Sequence, residues 1–311
     1  MKSNATIWVV GSLNADLVQM VDRMPEPGET LMGDELRTYP GGKGANQAYA
    51  AAKLGGTVRM IGNVGKDELG GMLLQSLRTE GVDVSGTHRV DASTGAASIL
   101  VMPDGENAIV ISPGANGQLT PEDVRARMGG IEEGDFLLCQ LETPVETVSE
   151  ALQLAKRAGA TTILDPAPAS EFTPELLASV SIVTPNETES QSMLEMVTTP
   201  IANQESYHDM ATRLRKMGAE VVLLKLGDAG CFLDNGSIAD LYTGHSVTAV
   251  DTTAAGDIFN GALAVRLAAG GVMEDAIHFA NASAGLSVTR PGAQTSVPDL
   301  DEVENIIVNG Q

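Results

Sequence analysis

Short apolar runs recur along the chain at Thr6-Ile7-Trp8-Val9-Val10, Val58-Arg59-Met60-Ile61, Phe136-Leu137-Leu138-Cys139, Thr161-Thr162-Ile163-Leu164, Ser181-Ile182-Val183, Val221-Val222-Leu223-Leu224 and Val247-Thr248-Ala249-Val250. Runs this short and this continuous fill strands covered on both faces. Helical patterns separate most of them, and that alternation predicts an α/β fold, a doubly wound and mostly parallel sheet flanked by helices. Thr143-Pro144-Val145-Glu146 predicts a capping box with Pro at the first helical position, and Gly159 closes that helix behind Lys156 and Arg157. Thr120-Pro121-Glu122-Asp123 opens another helix in the same way, and Thr173-Pro174-Glu175 a third.

Two stretches break the rhythm. Residues 17–40 mix polar and apolar positions around Pro25-Glu26-Pro27-Gly28, and residues 96–112 read as a hairpin about Pro103-Asp104-Gly105-Glu106-Asn107. Together, over about 12–40 and 96–112, they predict a small antiparallel β lid on a single domain spanning 1–311, though ordinary surface insertions would look alike. The exposed face of such a lid needs cover, which a partner subunit can supply.

In open α/β sheets, ligands gather at the carboxyl ends of the strands. Read in order, those ends carry Asn14 and Asp16, Gly62-Asn63-Val64-Gly65, Glu142, Asp165-Pro166, Asn186-Glu187-Thr188-Glu189, Leu226-Gly227-Asp228-Ala229-Gly230 and finally Asp251 to Asp257. So many polar or glycine-rich strand ends on one rim exceed what turn composition explains. The last of them, Asp251-Thr252-Thr253-Ala254-Ala255-Gly256-Asp257-Ile258-Phe259, turns through small residues into a long helical pattern. Backbone N–H groups at such a turn converge on one spot that favours negative charge. Asp257 at its mouth then faces a site suited to a transferring phosphoryl group; a plain strand-to-helix turn with Asp257 as a helix-start residue is the alternative. Gly41-Gly42-Lys43-Gly44-Ala45-Asn46-Gln47-Ala48 opens an Ala-rich helix ending at Gly55-Gly56, where glycines admit a ligand close to the backbone. Its spacing is not that of a Walker A loop.

Composition narrows the partners. Lys and Arg total 19 against 41 Asp and Glu, a formal charge of −22, which repels nucleic acid and anionic membranes. A phosphate must therefore be gripped locally, by backbone dipoles or a metal. Cys139 and Cys231 lie far apart inside apolar runs, which suits a reducing compartment, and His88, His208, His245 and His278 show no metal-ligand spacing. No signal-peptide pattern and no apolar run of membrane length are present, so the expected location is cytoplasmic.

Taken together, Gly11-Ser12-Leu13-Asn14-Ala15-Asp16, Gly41 to Ala48, Asn186 to Glu189, Asp251 to Phe259 with Asn260-Gly261-Ala262-Leu263, and the ending Val288-Thr289-Arg290-Pro291-Gly292-Ala293-Gln294-Thr295-Ser296-Val297-Pro298 resemble the PfkB (ribokinase-like) carbohydrate kinases across essentially the whole chain. The resemblance implies transfer of phosphate from ATP to the 5-hydroxyl of D-ribose, with Asp257 as catalytic base and Ala254, Ala255 and Gly256 as the anion hole. It implies sugar binding by Asn14, Asp16, Gly42, Lys43, Asn46, Glu142 and Asp257. ATP binding falls on Asn186, Lys225, Leu226, Gly227, Asp228, Ala229, Gly230, Gly256 and Asn281. Lys225 stands where such kinases often have Thr. A Mg2+ ion reached by Glu189 through water, a K+ site at Asp251, Thr253, Ser287, Arg290, Gly292 and Ser296, and a homodimer formed through the lid are also implied. The alternatives are a related kinase for deoxyribose or another sugar, a nucleoside kinase, for which the few aromatic residues are poorly placed, and a non-catalytic sugar-binding regulator, which would have no use for Asp257.

Overall fold

Six of the seven apolar runs become strands of one nine-stranded sheet in the computed structural model, which describes residues 5–194 and 204–309. Along the chain the elements are β1 (Thr6–Val10), β2 (Asn14–Met20), β3 (Arg37–Gly41), α1 (Lys43–Lys53), β4 (Thr57–Gly65), α2 (Glu68–Thr79), β5 (Asp83–Val90), β6 (Gly95–Val101), β7 (Asn107–Ser112), α3 (Pro121–Arg127), β8 (Phe136–Cys139), α4 (Val145–Ala158), β9 (Thr161–Leu164), β10 (Ile182–Val183), α5 (Glu187–Met193), α6 (Gln204–Lys216), β11 (Val221–Lys225), β12 (Cys231–Asp234), β13 (Ala239–Tyr242), α7 (Ala255–Ala268), α8 (Met273–Ser287) and α9 (Leu300–Asn309), with short 3-10 turns between some of them. The large sheet runs β13-β12-β11-β10-β9-β8-β1-β4-β5, parallel from β11 to β5, with β12 and β13 added antiparallel at one edge.

Alternation along each strand divides the core in two. Ile7, Val9, Leu138, Ile163 and Leu223 point to one face and pack on α1, α2, α7 and α8. Trp8, Val10, Leu137, Cys139, Leu164 and Leu224 point to the other, against α3, α4 and α6. Each face is covered by helices, which is why the strands read as continuous apolar runs. Truncating a fully buried member such as Leu138 to Ala would cost about 2–5 kcal/mol.

The seventh run is not a strand. Val247 and Ala249 line a cleft, Val250 is exposed, and the amides of Val250 and Asp251 donate to the Val288 carbonyl at 2.7 and 3.1 Å. The alternation at 247–250 belongs to the wall of this cleft, while the edge of the large sheet beyond β11 is formed by the hairpin β12–β13, whose outer strand is half exposed. The helix starts divide too. Thr120 makes the expected capping box with Asp123. At α4, by contrast, Pro144 is the cap residue, and the Thr143 hydroxyl is buried without a hydrogen-bond partner. Gly159 ends α4 in the left-handed conformation as expected, and Pro174 opens only a 3-10 turn to Ser179.

The lid is a separate four-stranded sheet, β3-β2-β6-β7. Its outer pairings, β2–β3 and β6–β7, are antiparallel, and the middle pairing, β2–β6, is parallel. The reason is topological. β1 and β5 are parallel members of the large sheet, and β2 and β6 continue outward from the same ends. Among the described residues no helix is long and apolar enough to cross a membrane.

Candidate active site

Two helix N-termini meet at the carboxyl rim of the sheet. At the first, Gly42 holds φ at +91°, and a Cβ there would lie 2.6 Å from the Asn14 amide nitrogen, so both the conformation and the space call for glycine. The first amides of α1 are answered by protein groups. Lys43 N donates to Glu142 Oε2 at 3.2 Å, Ala45 N to the Ser12 carbonyl at 2.9 Å and Gly44 N to Ser12 Oγ at 3.4 Å. Ser12 Oγ donates to the same Glu142 oxygen at 2.5 Å, and Asn14 Nδ2 lies 3.5 Å from it. Asn116 fixes the crossing into the lid. Its amide donates to the Leu13 carbonyl at 3.1 Å and to Asn14 Oδ1 at 2.7 Å, and accepts from Leu13 N at 2.9 Å. A side chain at Gly95 would overlap this amide.

Asp16, on β2, is pushed up to about 7 by burial and by the carboxylates of Glu142 and Asp257, with Lys43 pulling the other way. For Lys43 burial works against the charge, but Asp257, Asp165, Glu142 and Glu189 more than offset it and hold the ammonium charged. Asn14, Asp16, Gly42, Lys43, Asn46, Glu142 and Asp257 thus come together around one space.

The second N-terminus is that of α7. Ala254, its cap residue, has φ +60°, the single positive φ of a non-glycine among the described residues, at a cost of about 1–2 kcal/mol. The Ala255 amide makes a 3.3 Å bond to the Thr252 carbonyl. Those of Ala254 and Gly256 have no acceptor among the described residues. Asp257, in the first turn, is buried, and accepts from Asn46 Nδ2 and Gln47 Nε2, both at 3.1 Å. This crossing needs α1 and α7 in close contact, and Gly261 allows it: a Cβ there would lie 2.9 Å from the Gln47 carbonyl oxygen. Burial pushes the Asp257 carboxyl up to about 6; Lys43 opposes that shift, Asp165 adds to it, and the Asn46 and Gln47 amides oppose it.

Beside α7 lies a cleft of about 420 Å³ whose walls include Lys225, Gly227, Asp228, Gly230, Gly256 and Asn281, as the sequence places them, and also His245, Val247 and Ala284. Asn281 Nδ2 donates to the Tyr242 carbonyl at 3.0 Å. Leu226 does not line the cleft. It is buried in the core, and its amide closes the turn on the Gly230 carbonyl at 2.9 Å. Ala229 likewise acts through its backbone, donating to Leu226 O and accepting from Gly244 N. Lys225 Nζ forms an ion pair with Asp165 Oδ1 at 2.8 Å.

Asn186 and Glu189 cap α5 reciprocally, Asn186 Oδ1 accepting from Glu189 N and Glu189 Oε2 from Asn186 N, each at 2.8 Å. Asp251 draws the 251–253 and 287–296 segments together, accepting from Thr253 N at 2.9 Å and Gly292 N at 2.7 Å. In that segment Ser287 and Ser296 donate their hydroxyls to nearby carbonyls, and Arg290 is paired with Glu302. Among the described residues no cluster of three or more metal-binding side chains occurs.

The motifs do not single out Ser12, Gln47, Asn116, Gln140 or the acidic role of Asp165. Gln140 Nε2 donates to Gln47 Oε1 at 2.7 Å, which orients Gln47 toward Asp257 and Asp165. The one available signal was polarity inside apolar surroundings: Gln140 directly follows Phe136 to Cys139, and Asp165 directly follows Thr161 to Leu164.

The chain is similar to known proteins over nearly its whole length. The model of the pfkB family carbohydrate kinases matches residues 4–300. A ribokinase of Haemophilus influenzae is 40% identical over 298 residues, covering 96% of each chain. The crystal structure of a ribokinase from Thermotoga maritima superposes with a TM-score of 0.88 at 39% identity, over 98% of this chain and 100% of that one. That of an Arabidopsis thaliana ribokinase complexed with ribose and ATP gives 0.88 at 32% identity, over 98% and 99%. The chain belongs to the pfkB family of carbohydrate kinases.

Proposed function

We propose that the chain transfers the terminal phosphoryl group of ATP to the 5-hydroxyl of D-ribose. The observation that carries the reading is the buried Asp257 carboxylate, bonded to Asn46 of the sugar motif on one side and seated in the first turn of α7, whose Ala254 and Gly256 amides are open, on the other. The ribokinases of similar sequence, and the solved one holding ribose and ATP, support the choice of sugar and nucleotide. A carboxyl near 6 is mostly ionised at neutral pH yet still basic enough to take a proton from an attacking alcohol. The alcohol attacks in line, while the open Ala254 and Gly256 amides meet the charge on the transferring group, joined by the Ala255 amide once it leaves its 3.3 Å bond to the Thr252 carbonyl. Asn14, Asp16, Gly42, Lys43, Asn46 and Glu142 pair with neighbouring hydroxyls, and the cleft takes the nucleotide.

Glu189 is the carboxylate suited to magnesium. One oxygen is engaged at Asn186 N, burial raises its proton affinity, and Lys225, which opposes that rise, and Asp165 are near enough to shift it. Magnesium commonly uses one or two carboxylates together with waters and substrate phosphates, and bound there it neutralises phosphate charge. Potassium would be held at Asp251, Thr253, Ser287, Arg290, Gly292 and Ser296, mostly by backbone carbonyls, in segments that Asp251 ties together through Thr253 N and Gly292 N. The single domain 1–311 would work in the cytoplasm as a homodimer through the lid, whose outer strand β7 exposes Ile109 and Ile111 on one face and Val110 on the other. Sedimentation equilibrium showing only monomer at micromolar concentration would remove the dimer.

An ADP-release assay over a panel of ribose, 2-deoxyribose, fructose and nucleosides, with and without potassium, tests the whole reading. Ribose is expected to give the highest kcat/KM. A preference for 2-deoxyribose would reassign the sugar, and sugar binding with no turnover would replace the kinase by a binding protein.

A further inference from the structure

The Lys225–Asp165 pair stands between the cleft and Asp257. Lys225 ends β11 with its ammonium 2.8 Å from Asp165 Oδ1. Both side chains are largely buried, so this is not a solvated surface bridge. A Cβ built on Gly256 would lie 3.2 Å from Lys225 Nζ, which sets the ammonium against the open first turn of α7, and Lys225 also lines the cleft. The other oxygen of Asp165 accepts from Gln47 Nε2 at 3.0 Å, and that same nitrogen donates to Asp257 Oδ1 at 3.1 Å. One cation, two carboxylates and one amide thus form a continuous chain from the cleft to Asp257.

We propose that Lys225 is handed over during the catalytic cycle: Asp165 holds its ammonium until the terminal phosphate of the nucleotide enters beside α7, and the ammonium then turns to that phosphate while Asp165 stays bound to Gln47. No bond is made or broken in this exchange; a carboxylate and a phosphate compete for one ammonium. The inference rests on the kinase reading, because it takes the cleft as the nucleotide site and α7 as the phosphate end. Asp165 holds a cation that would otherwise face the acidic rim, and also costs nucleotide affinity. In this role Asp165 is a positioning residue, acting on the phosphate through Lys225 and on Asp257 through Gln47.

The hand-over makes two substitutions at one ion pair act in opposite directions. Binding of a non-hydrolysable ATP analogue and of ADP, each with magnesium and without sugar, is measured by calorimetry for the wild type, Lys225→Met, Lys225→Arg, Asp165→Asn and the double variant. Loss of a charge-assisted contact in Lys225→Met should weaken the ATP analogue about tenfold or more, and ADP less, with Lys225→Arg restoring most of it. Asp165→Asn keeps an acceptor for Gln47 while releasing Lys225, and should tighten the ATP analogue several-fold while lowering kcat. In the Lys225→Met background that tightening should disappear. Equal tightening in both backgrounds would mean a general field effect and overturn the hand-over, as would weaker binding in Asp165→Asn. If the single variants do not fold, the double variant still decides: having neither partner, it must bind the analogue more weakly than the wild type, and equal affinity would sink the proposal. A wild type that binds nucleotide and phosphorylates no sugar would defeat the kinase reading instead, and the binding series would still decide whether the ammonium moves.

Discussion

Helices α1 and α7 begin side by side, and their first turns are alike in backbone but opposite in what meets them. Each follows a residue in the left-handed region, Gly42 at +91° and Ala254 at +60°, and neither has a side-chain cap. The amides of α1 are closed by Glu142 and Ser12, whereas α7 leaves those of Ala254 and Gly256 open. A helix start carries partial positive charge, so closing one with a carboxylate and leaving the other open sorts the ligands. The closed end suits a neutral polyol, and the open end suits an anion. Asp257 belongs to the open helix and is held by residues of the closed one, which puts its carboxyl at the seam.

The sharpest way to break this comparison is at the seam. Asp257→Asn keeps the shape and an acceptor for one of the two amides, so sugar binding by calorimetry should stay within a few-fold while kcat in the ADP-release assay falls by about 10²–10⁴. Turnover within tenfold of wild type would remove Asp257 from the chemistry. At the closed end, Glu142→Gln weakens the hold on Lys43 N and Ser12, and sugar KM should rise by about tenfold with little change in kcat. If kcat fell instead and KM did not, the division between the two ends would fail.

Acid titration sharpens it further. Asp16 and Asp257 both hold protons more tightly in the folded chain than in the unfolded one, so each favours folding in acid, and that contribution is lost as pH rises from about 4 through about 6 and 7. Asp16→Asn should therefore gain melting temperature over the wild type progressively between pH 5 and 8, by a few degrees at most. A difference that is flat with pH would mean that Asp16 is ionised normally. In that variant the remaining acid limb of kcat/KM should lie near 6, reporting Asp257. The smallest effect belongs to the open end: Ala254→Gly retains every amide and relieves the left-handed strain, raising stability by about 1 kcal/mol in urea unfolding with kcat unchanged.

Much of this architecture was legible because strands covered on both faces must read as unbroken apolar runs, and six of the seven runs were strands. The seventh misled because a cleft wall carrying Val247 and Ala249 alternates as a strand does. β5 and β13 escaped because edge strands carry polar residues on their open sides, as Ala239-Asp240-Leu241-Tyr242 does, whereas β12 lies inside the sheet on the apolar run around Cys231. The glycine-rich turn marked the start of α1, where Gly42 holds φ at +91°, and a run of small residues marked that of α7, where Ala254 takes the positive φ instead. Gln47, Asn116 and Gln140 stayed hidden because a buried amide becomes informative only when its partner, distant in sequence, is known to be adjacent.

The placement of Asn14 and Asp16 on β2 has a mechanical outcome. These two side chains ride on the four-stranded flap, while Lys43, Asn46 and Glu142 are rooted in the main body, with Asn116 bracing the crossover. On the proposed sugar site, a polyol gripped by both sets would become the latch that fastens flap to body, and a sugar lacking one hydroxyl would fasten it less firmly. Discrimination among pentoses would then register as leakage of phosphate to water as much as weaker binding, and substrate choice and protection of the nucleotide would rest on the same few hydrogen bonds.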